Sequence, residues 1–211
     1  MGDAMNVETS ERFNVITSLL GALAAPVGMV ALLVTAARHG DPWKIVSFSM
    51  YGGTLILLYT VATIYHAQRG RVKRLLRELD HCAIFLLIAG TYTPFSLVTL
   101  RGEWGWTLFV LVWGAAAYGI ALEHWPARVP QIPDLAIYLG MGWLILIAIR
   151  PLLLALSWQG VAWLAIGGFF YTGGIVFFLL DERYAWAHGC WHLCVLGGSL
   201  SHFLAVFLYI A

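Results

Sequence analysis

Charged side chains are scarce in this sequence. Only 11% of the 211 residues are Asp, Glu, Lys or Arg, whereas 61% are hydrophobic and the mean hydropathy is +0.81. Soluble domains carry about twice that charged fraction. A chain of this length could not hide so many apolar side chains from water, so the composition predicts that lipid surrounds most of it. The net charge of +1 gives no electrostatic basis for binding nucleic acid, and we expect no such partner.

Cysteine is also rare, and the N-terminal residues do not follow the pattern of a secretory signal. Cys82, Cys190 and Cys194 lie in apolar runs and form no CxxC pair, which argues against a disulfide framework. The N-terminal "MGDAMNVETSERFN" lacks the basic region of a signal peptide, and the apolar run after it is too long for one. We therefore expect the first apolar segment to be retained as a membrane anchor.

Long apolar runs, in contrast, are abundant. Each is close to the roughly 20 residues that a helix needs to cross the hydrocarbon core, and short breaks with charges or prolines separate them. The sequence predicts an all-α membrane protein, a seven-helix transmembrane domain at 15–211 preceded by an N-terminal segment at 1–14. The seven predicted spans are Val15–Ala37, Trp43–Tyr65, His81–Leu100, Trp104–Leu122, Leu135–Leu156, Val161–Leu180 and Ala187–Ala211.

The basic residues predict the orientation of these spans. Eight Lys and Arg residues, five of them at 69–77, fall on the side that carries the N-terminus, and three fall on the other side. Arg128 is among the eight. Because cytoplasmic loops carry the excess of Lys and Arg, we expect a cytoplasmic N-terminus and, after seven spans, a C-terminus outside.

Four ionisable side chains are predicted to lie near the membrane face that carries the N-terminus. His66 ends the second span, Asp80 begins the third, and His188 and His192 open the seventh. Residues at i and i+4 share one helical face, so His188 and His192 can address a single ion. A reactive zinc site uses three protein ligands and leaves one position open, which makes His66 the third ligand and Asp80 either a ligand or the carboxylate that deprotonates a water. Alternatively, these are polar residues at helix ends, in the headgroup layer.

Two further histidines are set apart from this site. His202 lies ten residues beyond His192, about 15 Å deeper along a helix, and is expected to be a buried side chain that hydrogen-bonds across helices. His81 follows Asp80 but points about 100° away from it on a helix, so it is left out of the site.

Two stretches carry a family resemblance. "YHAQRGRVKRLLRELDHCAIFLLIAGTYTPFSL" (65–97) and "GCWHLCVLGGSLSHF" (189–203) resemble the hemolysin III family, bacterial members of the progestin and adipoQ receptor (PAQR) superfamily. The resemblance implies a multi-pass protein of the bacterial cytoplasmic (inner) membrane. By motif, His66, His188 and His192 match the zinc-binding histidines of the adiponectin receptors, and Asp80 matches an aspartate that contacts zinc through water.

Two positions depart from the family pattern. The pattern ExxNxxxH near the first helix is met by Glu11 and Asn14, but Ser18 stands at the histidine position. The serine usual before the second-helix histidine is replaced by Ala62. Neither position belongs to the three presumed ligands, so metal binding is expected to survive, whereas a catalytic role for the serine hydroxyl is not supported.

The resemblance implies several functions. One is a zinc-dependent hydrolase of lipid amide (ceramide-like) or ester bonds, with Asp80 as general base and a membrane lipid as substrate. A second is a non-enzymatic protein of membrane homeostasis or lipid sensing, in which a structural zinc ties the helices together and lipid is a ligand. A third, a pore-forming hemolysin, fits less well, since no span carries a continuous polar stripe. The sequence carries no signal for an oligomeric state.

Overall fold

The structure is a computed structural model. It describes residues 2–124, 132–181, 183–184 and 186–211, with side chains from residue 10 onward except at 132–133. Arg128, one of the eight basic residues from which the orientation was predicted, lies outside the described residues. The helices are α1 (Gly2–His39), α2 (Pro42–Ala67), α3 (Gly70–Pro94), α4 (Glu103–Glu123), α5 (Ile132–Trp143), α6 (Ile149–Ala155), α7 (Trp158–Leu179) and α8 (Ala187–Tyr209).

Within the described residues, seven helical spans are long and apolar enough to cross a membrane. This confirms the predicted all-α, seven-span architecture. The first of them, Ser10–His39, belongs to a helix that already begins at Gly2, so much of the segment predicted at 1–14 continues the first helix. Large apolar side chains point outward, as Leu154 does with 83% of its surface exposed. Such exposure is favourable only where lipid, not water, is the solvent.

The spans pack as a ring. α1 contacts α2, α2 contacts α3, α3 contacts α4, and α7 contacts α8, while α8 returns to α1. The fifth span, formed by α5 and α6, contacts α3, α4 and α7. This closed order brings the end of α2, the middle of α3 and the start of α8 to the inside of one bundle.

The fifth span is interrupted where it faces the bundle interior. A 3₁₀ segment, Leu144–Ala148, separates α5 from α6, and Pro151 follows it. Proline has no N–H to donate and its ring crowds the carbonyl four residues earlier, which explains the break. The Tyr92 hydroxyl donates to the Gly142 carbonyl (2.9 Å) and accepts from the Ile145 N–H (2.9 Å). It thereby satisfies backbone groups that a membrane interior cannot hydrate.

Candidate metal centre

The structure brings together the three histidines singled out from the sequence. His66 is on the last turn of α2, and His188 and His192 are on the first turns of α8. The ring centroids are 5.0 Å apart for His66–His188, 4.8 Å for His66–His192 and 4.9 Å for His188–His192. One ligand nitrogen of each lies within 4.8 Å of the others. The spacing of four on α8 is what points both of its imidazoles toward α2.

The imidazoles of His66 and His192 face each other through the same ring nitrogen. Nε2 of His66 and Nε2 of His192 are 2.9 Å apart. Two nitrogens on one tetrahedral ion, each at about 2.0–2.1 Å, stand roughly 3.3 Å apart. A shift of a few tenths of an ångström would therefore let both lone pairs reach a shared cation, so the group could hold a metal ion.

The outward nitrogens have partners on other elements. His66 Nδ1 is 2.9 Å from Glu11 Oε2, and His188 Nδ1 is 2.8 Å from Asp181 Oδ2. Because a carboxylate only accepts, each Nδ1 donates to it, and each Nε2 keeps a lone pair for a cation. Carboxylate–histidine pairs of this kind orient metal-binding imidazoles and raise their basicity. The donor set thus fits a metal ion in its orientation as well as in its number.

His192 has a weaker outward partner. Its Nδ1 is 3.4 Å from the Ser18 hydroxyl. Ser18 is fully buried and stands where the resemblance led us to expect histidine. The residue that departs from the pattern is therefore in contact with the site. Asp181 was missed from the sequence, because nothing in the run "LLDERYAWAH" marks which of its carboxylates meets His188.

Glu11 joins three helices at this point. Besides accepting from His66 on α2, it accepts from the Lys73 ammonium through its other carboxylate oxygen. Glu11 is on α1 and Lys73 on α3. The carboxylate is therefore held between a cation and an imidazole, which fixes the orientation of the His66 ring.

Asp80 lies beside the three-histidine group, not within it. Its half-buried side chain lines the same internal cavity as His192, and it interacts electrostatically with His188. It is not among the atoms that cluster within ligand distance. This placement is compatible with a carboxylate that acts on a water, and that role stays a prediction.

A cavity of about 250 Å³ extends from His192 and Asp80 into the bundle. Its wall comes from α2, α3, the fifth span, α7 and α8, and most of its lining side chains are apolar. Ala62, at the position where the family often has serine, lines it, whereas the neighbouring Thr63 donates its hydroxyl to the Tyr59 carbonyl on its own helix. The cavity therefore presents methyl and aromatic groups beside His192.

His202 and His81, which were set apart from this site in the sequence, also lie apart from it in the structure. His202 Nε2 donates to the Leu164 carbonyl of α7 at 3.1 Å, which confirms the expected hydrogen bond across helices. His81 Nδ1 is 3.2 Å from Glu123 Oε1, and Asp134 completes a second cluster of potential ligand atoms. This cluster could not be predicted from the sequence, because its members follow no ligand spacing along the chain.

Comparisons with known proteins agree with this architecture. The sequence model of the family described as Haemolysin-III related matches residues 7–203. Hemolysin-3 of Bacillus cereus is 41% identical over 198 residues, covering 93% of this chain and 90% of that protein. The hemolysin-3 homolog of Bacillus subtilis (strain 168) is 40% identical over 197 residues, covering 93% and 92%. The human monocyte to macrophage differentiation factor is 30% identical over 197 residues, covering 85% and 78%. The chain belongs to the haemolysin-III-related family, which is linked to the PAQR superfamily.

Proposed function

We propose that this chain is a zinc-dependent hydrolase of acyl lipids, acting on amide (ceramide-like) or ester bonds in the bacterial inner membrane with its N-terminus in the cytoplasm. The observation that carries the proposal is a three-histidine group beside an internal apolar cavity. Among the described residues, no fourth side chain joins that group within ligand distance. Three protein ligands and an open position are typical of reactive zinc sites, whereas structural sites are closed by four.

The side chains divide into those that hold the metal and those that act on the substrate. His66, His188 and His192 would bind zinc through Nε2, with Glu11 and Asp181 fixing two of the rings. When bound, zinc supplies a Lewis acid that polarises a carbonyl and makes water acidic near neutral pH. Neutral imidazoles with an oriented N–H are the form that this ion requires.

Asp80 carries the proton transfer in this proposal. The water oxygen attacks the carbonyl carbon of the lipid, and the Asp80 carboxylate accepts the proton that the water loses. The C–N or C–O bond then breaks, and the same proton passes from Asp80 to the departing amine or alcohol. The products are a fatty acid and the amine or alcohol, so the step needs no reactant besides water.

The cavity fits the acyl part of such a substrate. Leu87, Ile88, Phe95 and Ile145 are among its lining residues, so an acyl chain that enters from the bilayer exchanges one apolar environment for another and leaves no polar group unpaired. An apolar wall is unsuited to an aqueous pore, since pores through membranes are lined by polar groups or carbonyls. The wall therefore favours a lipid occupant.

Turnover by the purified protein tests this proposal. Full-length protein in detergent with zinc is expected to release fatty acid from ceramide or from an acyl ester. Asp80→Asn is expected to abolish release while keeping the metal. Asp41→Asn is a matched control, because Asp41 caps the start of α2, at the opposite end of that helix from His66, and asparagine caps equally well. Unchanged turnover in Asp80→Asn would remove this residue from the mechanism.

A second function is favoured by a specific set of contacts. The centre and its partners tie together α1, α2, α3 and α8 through Glu11, Lys73, His66 and His192. In a non-enzymatic protein that senses lipid, a metal here would set how these helices pack. The two functions separate in one experiment: metal-dependent thermal stability without turnover on any acyl lipid supports the structural role alone.

A further inference from the structure

A second pocket, of about 210 Å³, lies where α2 ends and α3 begins. None of its described lining residues is acidic, and none of them also lines the apolar cavity. The described residues of this basic pocket are Tyr65, Gly70, Lys73, Arg74 and Arg77. Three cationic side chains around one pocket give it the composition expected of an anion-binding site.

The two arginines of the basic pocket carry charges that no described carboxylate balances. Arg74 and Arg77 are three residues apart on α3 and are therefore neighbours on one helical face. Among the described residues, neither forms an ion pair, and even Glu78, four residues after Arg74, lies beyond ion-pair distance of it. Both side chains are exposed. Because a guanidinium can donate two parallel hydrogen bonds to one phosphate group, the pair suits that anion.

Lys73 contributes differently, because its charge already has a partner. Its ammonium binds the Glu11 carboxylate of α1 and lies 5.1 Å from the centre of the Tyr65 ring. These contacts tie the start of α3 to α1 and to the end of α2, so the wall of the basic pocket is held in place. The charge of Glu11 is balanced by Lys73, and the positive charge of the two arginines remains in excess.

The arginines also lie at the depth of lipid headgroups. The predicted third span begins at His81, and Arg77 and Arg74 precede it by four and seven residues on the same helix. At the rise of an α-helix, these separations are about 6 Å and 10 Å. The headgroup layer extends about 5–8 Å beyond the hydrocarbon core on each side, so these long side chains can reach lipid phosphates.

Exposed apolar side chains on the same turns of α3 favour a lipid over a soluble phosphate. Val72, Leu75 and Leu79 are interspersed with the basic residues, and all three are exposed. Apolar groups among Lys and Arg residues are typical of helix segments that lie in the membrane interface. A free ion would gain nothing from them, whereas a lipid whose phosphate is bound by the arginines can place its chains against them.

We propose that the basic pocket binds the phosphate of an anionic phospholipid, with the guanidinium groups of Arg74 and Arg77 donating hydrogen bonds to its oxygens. Basic pockets between membrane helices recognise anionic headgroups in this way. The lipid is a ligand here, bound apart from the three histidines and from the apolar cavity. The inference therefore goes beyond the proposed function and does not depend on hydrolysis.

Phosphatidylglycerol and phosphatidylcholine with the same acyl chains provide the probes. Both carry the same ester bonds, so binding in the apolar cavity alone gives no preference, whereas only phosphatidylglycerol has a net negative charge. Binding of each to the full-length protein in a neutral detergent is measured by native mass spectrometry. Phosphatidylglycerol is expected to bind roughly tenfold more tightly, as for hydrogen bonds to a charged group. Equal affinities for the two lipids would overturn the inference.

Charge-matched variants separate a built pocket from diffuse attraction to basic residues. Arg74→Gln and Arg77→Gln each remove one guanidinium from the basic pocket, and each is expected to lower phosphatidylglycerol affinity about five- to tenfold. Arg71→Gln removes the same charge from the same helix, but Arg71 is exposed and does not line the pocket. Its affinity is expected to stay within about twofold of wild type. Equal losses in all three variants would show diffuse attraction only and contradict the inference.

Soluble phosphate is the other source of the same chemistry. Inorganic phosphate and glycerol 3-phosphate, at millimolar concentration, are expected to leave phosphatidylglycerol bound to wild type, because they lack the acyl chains that would contact Val72 and Leu75. Displacement of the lipid by either compound would assign the pocket to a soluble ligand and overturn the inference.

Zinc content measured on the same samples keeps this inference separate from the metal centre. Arg74→Gln and Arg77→Gln are expected to keep wild-type zinc, and His188→Ala is expected to lose zinc and keep the preference for phosphatidylglycerol. Parallel loss of zinc and lipid in the arginine variants, or loss of the preference in His188→Ala, would contradict a separate site. Absence of lipid hydrolysis would remove only the enzymatic proposal.

Discussion

The carboxylates behind two of the histidines should control how tightly the centre binds metal. Glu11 Oε2 is 2.9 Å from His66 Nδ1, and Asp181 Oδ2 is 2.8 Å from His188 Nδ1. Removing such a partner costs about 10- to 100-fold in metal affinity, equivalent to about 1.4–2.7 kcal/mol. Glu11→Ala and Asp181→Ala lose both the charge and the orientation of the ring, so we expect losses toward the upper end.

Smaller changes at the same positions should give graded results. Glu11→Gln keeps an oxygen that accepts from Nδ1 but removes the charge, so its loss is expected near tenfold. Ser18→Ala removes only a neutral hydroxyl, 3.4 Å from His192 Nδ1, and its loss is expected to stay below about fivefold. The predicted order of effect is therefore Glu11→Ala, then Glu11→Gln, then Ser18→Ala.

Competition for zinc against a chelating dye, in detergent, measures these affinities without reference to any enzymatic activity. Glu103→Ala is the control for removing a carboxylate, because Glu103 is exposed at the start of α4, away from the centre. Lys73→Met separates the His66 contact from the ion pair that Glu11 also makes. The reasoning is refuted if Glu11→Ala and Asp181→Ala bind zinc within twofold of wild type.

Three further predictions concern stability in detergent, measured by thermal unfolding. Tyr92→Phe leaves two backbone groups of the broken fifth span without their partner and should lower the free energy of unfolding by about 1–3 kcal/mol. Tyr118 is 61% exposed, so Tyr118→Phe should cause no measurable loss. Equal losses in the two variants would contradict the role of the Tyr92 hydroxyl. Gly119→Ala should destabilise the protein, because its Cβ would clash with the buried Phe85 ring. A Cβ at Gly114, on the same helix, meets nothing within 4 Å, so Gly114→Ala should be neutral or slightly stabilising. The reverse order of stabilities would be inconsistent with this packing. Removal of metal by a chelator should lower the unfolding temperature of wild type and leave His188→Ala unchanged, by linkage of binding to folding; a wild type insensitive to chelation argues against a bound ion.

Much of the fold could be predicted because lipid imposes simple rules on a sequence. Each span must satisfy its own backbone and be apolar for about 20 residues, and the runs in this chain meet both conditions. The 3₁₀ break in the fifth span could not be located in the same way. A proline such as Pro151 is typical of a kink or a break, but the hydroxyl that stabilises this one comes from Tyr92 on a different helix.

Some residues of the candidate metal centre could likewise be predicted from the sequence, and others could not. His188 and His192 could be paired from their spacing alone, and His66 could be added because helix order placed it at the same end of the bundle. Asp181 and Ser18 could not be assigned, since their contacts depend on how a loop and a neighbouring helix fold over α8. The partner of His202 on α7, the Leu164 carbonyl, could not be named either, because no sequence pattern encodes which carbonyl of a neighbouring helix a histidine meets.

Metal analysis of the purified protein tests the central claim most directly. We predict one zinc ion per chain in wild type, its loss in His66→Ala, His188→Ala and His192→Ala, and its retention in His39→Ala, which removes an exposed histidine. Full zinc content in the three variants would contradict the claim that these imidazoles share one ion.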